Sequence, residues 1–411
     1  MNIFTLLNVY TIKFMTFSIP ESTEKNKLKL IFYDSANLIN EKHWEAINNN
    51  QNIYLSLNYL KALESALKND IPFRYIQFHN DKDEPVAIAI AQVVKFVDKG
   101  SKYSEQLCKL SSHLKTKILN SLDIKVLVCG NVFACGENGF MYNDKISHQE
   151  AYDNLNVALY RLRKSEKING QTSMVLLKEF WPSNFQYSDH IKQNKYREFM
   201  IDVNMILKIH PSWKNIDDYL NSMTAKFRTK AKGVFKKSAQ IITKEFDLKD
   251  VLKYKERIEE LYLLVLEKSD FSIGALNGEA FYNLKKNLDD KFMIKGYFFK
   301  EELIGFSSAF ISNGNIDANY IGIDYNYNYE YAVYQKMLYD FVEFAIDKNV
   351  TELRLGRTAE EIKSCLGAEP THMKLYIKLR NTVSNKLIKP IIESISPSEF
   401  ELRKPFKADF S

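Results

Sequence analysis

The order in which helix-like and strand-like stretches recur constrains the fold of this chain more than any single motif. In the first half, residues 53–67 place Tyr54, Leu57, Leu60, Leu63 and Leu67 at helical spacing. Residues 73–78 and 85–96 read as two strands turned at Asn80-Asp81-Lys82-Asp83. A short apolar strand (126–129), a glycine-bearing loop (130–139), a helix (148–164) and a strand (174–180) follow. The second half repeats this logic. Residues 199–207 read as a strand, and 215–239 and 251–268 as helices. Then come strands over 292–299, 302–312 and 316–323, a helix over 330–348, and strands over 352–355 and 373–379. Antiparallel strands followed by strand, helix and strand predict a mixed α/β sheet, not a doubly wound one. The halves share too little identity for a residue-level repeat; their common element order points to duplication. The expected division is an irregular start (1–20), one lobe over 21–195, a second over 196–385 and a tail over 386–411.

Composition narrows the class. With 411 residues, 45% hydrophobic and 26% charged, the chain has apolar material for two or three cores and is excluded from whole-chain disorder. The cysteines at 108, 129, 135 and 365 form no CxxC pair, and no two of the seven histidines fall at i, i+4, so neither a disulfide framework nor a metal site is expected. No window supplies the ~20 apolar residues of a membrane span. Residues 1–20 are apolar in patches but lack the basic start of a secretory signal, with Met15 an alternative first residue. A cytoplasmic protein in a reducing compartment is the expectation. The net charge of +6 permits an anionic partner without requiring one.

Three segments hold candidate chemistry. From Tyr219 to Lys244 there is no Asp or Glu, against Lys226, Arg228, Lys230, Lys232, Lys236, Lys237 and Lys244. On a helix, Phe227, Ala231, Val234 and Phe235 share one face and the cations take the rest. That arc is either an anion site for phosphates or a solvated basic face. In the second segment, Asn319 to Asp324 runs from a strand towards a helix, and free N–H groups at such a junction can hold an anion. Asp324 there is a proton acceptor or a helix cap. Tyr320 and Tyr334 are pocket or core residues. In the third, Thr358 and Glu361 have capping-box spacing, predicting a helix from Thr358 that stops at Gly367. Arg357 would then sit at a strand–helix junction, its guanidinium facing a phosphate, a carboxylate or a structural partner. Lys363 and Cys365 are weaker candidates, and Cys135 lacks an assigned base.

These stretches also carry a resemblance. Asp217-Asp218-Tyr219-Leu220 with the lysine run, Leu303-Ile304-Gly305-Phe306, Asn319 to Asp324 with its tyrosine-rich sequel, and Leu355-Gly356-Arg357-Thr358 through Leu366-Gly367-Ala368 resemble the acyltransferase domain of the GNAT superfamily. The similarity is to its FemAB/FemX branch, with the last stretch like the C-terminal signature of Bacteroidetes members. It covers about residues 195–381, and the first half matches by element order. The resemblance implies a duplicated GNAT-like α/β (α+β) fold of two mixed-sheet lobes with flanking helices. It implies N-acyl transfer from an anionic donor, an acyl-CoA or similar carrier thioester used as co-substrate with no tightly bound cofactor, to a small-molecule amine. On that reading Asp324 or Glu361 is the base, Tyr320 or Tyr334 returns a proton, and Lys226, Arg228, Lys230, Arg357 and Thr358 contact the donor. No DNA partner is implied. The alternatives are an aminoacyl-tRNA-dependent transferase acting on a cell-wall precursor, the one reading with a tRNA partner, and an inactive GNAT-like binding protein. The last draws on the missing Q/R-x-x-G-x-G/A phosphate loop before residue 330.

Overall fold

A computed structural model describes residues 28–95, 125–165, 172–268, 274–387, 389–393, 395, 397 and 399–410. Residues 1–20, Cys108 and His113 lie outside this range. No helix among the described residues is long and apolar enough to cross a membrane.

Two mixed sheets form the frame. The first is built from β1 (Lys29–Tyr33), β2 (Phe73–His79), β3 (Pro85–Lys95), β4 (Lys125–Cys129), β5 (Phe140–Tyr142), β6 (Thr172–Phe180) and β7 (Arg197–Phe199). The second holds β8 (Val203–Lys208), β9 (Ile241–Glu245), β10 (Phe292–Phe299), β11 (Glu302–Ser312), β12 (Asn315–Ile323), β13 (Glu352–Arg354) and β14 (Glu369–His372). The final strand, β15 (Lys374–Leu379), crosses back. It inserts between β6 and β7, giving a first sheet ordered β1-β2-β3-β4-β6-β15-β7 with β5 beside β3. The second sheet runs β14-β8-β13-β12-β11-β10-β9. Each sheet has one parallel pairing, β4 with β6 and β12 with β13, and is otherwise antiparallel. Both are therefore mixed, as the element order predicts. Strand pairing, however, does not divide at residue 195: the strand at 373–379, assigned by sequence to the second lobe, completes the first sheet.

Helices cover the sheets where the periodicity places them, with informative departures. They include α1 (Glu41–Asn48), α2 (Leu57–Leu67), α3 (His148–Ser165), α4 (Ile216–Ser222), α5 (Ala225–Lys237), α6 (Leu248–Glu267), α7 (Gly278–Leu288), α8 (Tyr325–Tyr331), α9 (Val333–Asp347) and α10 (Glu360–Ser364). At the start of α6, Asp247 and Asp250 form a reciprocal capping box that satisfies its first free N–H groups. The expected helix over 330–348 instead starts at Tyr325, breaks at Ala332 (φ 51°) and resumes at Val333. The expected capping box at Thr358 does not form. Thr358 (φ 63°) and Ala359 (φ 51°) are both left-handed, and α10 begins at Glu360 without a side-chain cap. Gly367 (φ 92°) ends that turn with Phe406 packed against it; a Cβ there would lie 2.0 Å from the ring. Only glycine fits such a position.

One core spans both halves. Tyr59 on α2, Phe281 on α7, and Phe306 and Phe310 on β11 are all buried in it. Each buried aromatic of this kind stabilises the fold by roughly 1.5–3 kcal/mol. Polar contacts join the halves as well: Tyr54 Oη donates to Asp317 Oδ2 at 2.9 Å, and Tyr320 Oη donates to the Phe133 carbonyl at 3.0 Å. The halves thus meet along one face, where β12 confronts the 130–139 loop.

Candidate functional site

The site begins where two parallel strands part. β12 and β13 pair through Asn315–Asp317 and Glu352–Arg354 only. β12 then follows β11 to Ile323, whereas the chain after β13 turns to β8: Leu355 N donates to Met205 O at 2.8 Å, and Met205 N to Gly356 O at 3.1 Å. Gly356, at φ 70°, makes that turn. A wedge opens between the strands, and among the described residues the β12 edge beyond Asp317 has no strand beside it. It holds a cavity of about 310 Å³ whose walls include Phe133, Ala318, Tyr320, Tyr334, Arg357 and Lys363. The first-half loop and Lys178 of β6 close its far side.

The wedge floor is charged. Lys178 and Glu179 are 4% and 1% exposed, with Lys178 Nζ 3.1 Å from Glu179 Oε1. Lys178 also donates to the carbonyls of Asn131 (2.8 Å) and Ala134. Arg357 pairs with the same Glu179 Oε1, which ties the second-half junction to the first sheet. Lys363 Nζ donates to the carbonyls of Gly356 (3.3 Å) and Arg357 (2.5 Å). Burial pulls the Lys363 ammonium down to about 8. Burial alone would raise the Glu179 carboxyl, but Arg357 and Lys178 more than reverse this and hold it below its ordinary value.

A second cavity, about 160 Å³, adjoins the wedge, and Cys135 lines both. Its walls include Tyr54, Glu137, Trp181, Asp317 and Arg354. The Arg354 guanidinium lies 4.9 Å from the centre of the Trp181 ring, a cation–π arrangement. Burial pushes the Glu137 carboxyl up to about 7, with only the Asn184 side-chain amide as a compensating donor. Burial likewise raises Asp317, with Arg354 pulling the other way. A carboxylate that titrates near neutrality in a cavity is suited to accept a proton at working pH.

The residues singled out from sequence fall into three places. Tyr320, Tyr334, Arg357 and Thr358 converge on the wedge. Asp324 does not: it caps α8 through Asn326 N (3.0 Å) and pairs with Arg257 at 3.0 Å. Glu361 is exposed and pairs with Arg403. These two line neither cavity, and both are satisfied by local partners. Lys226, Arg228 and Lys230 lie on α5, whose Phe227 and Ala231 are buried as the spacing predicts. They stand outside the wedge. Lys226 and Lys230 are exposed, with their Nζ atoms 5.8 and 5.4 Å from the Phe227 ring centre, and Arg228 donates to the Met223 carbonyl at 3.5 Å. Among the described residues, no carboxylate pairs with these three cations. α5 flanks the turn after α10: burial raises the Cys365 thiol there, and Lys230 is the first charge to pull it back.

Sequence reasoning missed Lys178, Glu179 and Glu137. The first two had a signal, since a Lys-Glu pair interrupts the otherwise apolar strand 174–180. Buried strands hold such charges only when they are paired. Glu137 had none, because its proximity to Asp317 and Trp181 arises from tertiary contacts.

No family model matches the sequence, and no curated protein matches it. Among solved structures, the chain is similar to the crystal structure of FemX, with a TM-score of 0.52 at 12% identity, covering 86% of this chain and 98% of that one. It is also similar to a tandem GNAT protein from the clavulanic acid biosynthesis pathway (TM-score 0.48, 8% identity, 86% and 99% covered). L-PGS from Bacillus licheniformis gives a TM-score of 0.46 at 12% identity, with 86% and 95% covered. The FemX likeness bears on architecture: the expected FemX-like arrangement of two mixed α/β lobes is the one this chain has.

Proposed function

We propose that the chain transfers an acyl group from an activated, anionic donor, an acyl thioester of coenzyme A or of a carrier protein, to the amino group of a small molecule. What supports this reading is the pair of cavities meeting at Cys135, one walled by cations and the other by Glu137 and Asp317 together with Arg354. The donor enters the wedge, its acyl carbonyl against the unpaired edge of β12. The amine lies in the Trp181 cavity and gives a proton to Glu137. Its nitrogen attacks the acyl carbon, and the backbone N–H groups of the wedge stabilise the oxyanion. Collapse breaks the C–S bond, and Tyr334 returns a proton to the departing sulfur. Solvent carries the proton from Glu137 back to the Tyr334 oxygen, so the net movement is one proton from nitrogen to sulfur, and no covalent enzyme intermediate is needed. Holding both reactants in adjoining cavities supplies the proximity on which such a reaction depends.

The test is thiol release from acetyl-CoA and longer acyl-CoAs across a panel of primary amines, together with thermal melts. Donor at 100 times its Kd should stabilise the protein by about 2.7 kcal/mol. Amine-dependent thiol release is the expected result. Neither release nor stabilisation at saturating thioester sinks the reading, and copurification of charged tRNA would move it to an aminoacyl-tRNA donor.

The α5 cations enter this reading as contacts for the donor's phosphates. Replacing Lys226, Arg228 and Lys230 together by Ala should weaken CoA-thioester binding and flatten its salt dependence. Unchanged affinity in isothermal titration would return α5 to a solvated face.

A further inference from the structure

The wedge carries more positive charge than its structure uses. Among the described residues, its lining contains Lys178, Arg357 and Lys363 and no carboxylate. Lys178 and Lys363 are 4–5% exposed. The one fully buried acid in contact with the group, Glu179, sits behind the lining and answers two of the three cations, Lys178 and Arg357. Asp202 and Glu360 act on Arg357 and Lys363 from half-buried positions that do not line the cavity. The donors are not exhausted either. Lys363 gives two of its three N–H bonds to carbonyls; Arg357 Nε and Glu179 Oε2, which belong to one ion pair, are both buried with no hydrogen-bond partner among the described residues. Burying unbalanced charge is unfavourable unless a counter-ion answers it, and the third Lys363 N–H is left to bond one.

We infer that Arg357 and Lys363 form an anion-binding subsite on the wedge floor, electrostatically reinforced by Lys178, which takes a carboxylate or phosphate carried by the substrate of this cavity. The inference rests on the acyl-transfer reading for what brings the anion in. The subsite lies between the strands that part, beside Ala318: the Gly356 Cβ position is 3.8 Å from the Ala318 carbonyl. It is therefore at the acyl end of the wedge. A dicarboxylic acyl group, with one carboxyl activated and the other free, fits it. An aminoacyl group presents an ammonium to the same cations and is repelled. A donor phosphate folded into the wedge is the other source of the same chemistry.

The test uses simple anions first. Succinate and inorganic phosphate are added to the intact protein at constant ionic strength, with chloride as the control. Labelling of Lys363 by an amine-reactive reagent is followed by peptide mass spectrometry alongside the melting temperature. Several-fold protection of Lys363 and a higher Tm are expected with one or both anions, and Lys363→Met should abolish the Tm shift. If that variant fails to fold, the wild-type labelling decides. Labelling and Tm indistinguishable from chloride overturn the inference. Succinyl-CoA binding about ten-fold tighter than acetyl-CoA identifies the acyl carboxylate as the source; equal affinities with equal displacement of bound phosphate identify the donor phosphate. Protection by anions without thioester turnover sinks the transferase reading and keeps the subsite, whereas acetyl-CoA turnover without protection does the reverse.

Discussion

Glu179→Ala is expected to lower folding stability by about 3–5 kcal/mol, the usual cost of removing one partner from a buried ion pair. Glu179 is 1% exposed and is bonded by both Lys178 and Arg357. Its removal leaves two cations facing each other without a counter-charge, one on β6 and one after β13. The loss should appear as a lower urea midpoint at unchanged slope. Converting Arg357 to Met in the Glu179→Ala background should recover part of the loss, since it removes one stranded charge, and the coupling between the two sites should exceed that of distant residues. A loss below about 1 kcal/mol would mean that water or a rearranged loop reaches this pair, and the account of the wedge floor would fail.

Glu137→Gln is expected to cut turnover by about 10²–10⁴-fold, the range for removing a positioned general base. The wild-type rate should rise with pH through about 7, where burial places the Glu137 carboxyl, and the variant should lose that inflection. Stability must run the opposite way. The folded value of about 7 lies above the unfolded 4.5, so folding binds a proton between these limits. Stability from this group is full below 4.5 and is lost as pH rises through 7. Glu137→Gln should therefore be relatively more stable than wild type at pH 8 while being slower. A variant with full activity and an unchanged pH profile removes Glu137 from the reaction.

Much of the architecture was legible because it rests on local patterns. Strands β10 and β11 fall where alternation and turn chemistry put them, and the buried stripe of α5 follows from helical spacing. The strand 373–379 was recognised as an element but not as a member of the first sheet, because pairing partners distant in sequence leave no local trace. At the failed capping box, Lys363 bonds the carbonyls of Gly356 and Arg357 just before it, and Arg357 is held by Glu179 of the first sheet, so the segment forms a left-handed turn at Thr358 and Ala359 where local spacing supports a cap. Of the candidate residues, those beside the parting strands, Tyr320, Arg357 and Thr358, line the wedge. Asp324 and Glu361 looked equally suitable in sequence, and only the positions of Arg257 and Arg403 explain why they stand elsewhere.

The return of β15 to the first sheet acts as a clasp. Immediately before it, β14 is hydrogen-bonded to β8, which carries the β13 side of the wedge; β15 itself is hydrogen-bonded to β6, which carries Lys178 and Glu179. The two walls are thus stitched by one short run of chain, and spreading them means tearing a ladder instead of bending a hinge. A polypeptide severed near residue 195 would leave β6 with a raw edge of bare amides, prone to sticking to its neighbours. Whatever enters this crevice meets jaws whose gap is already set.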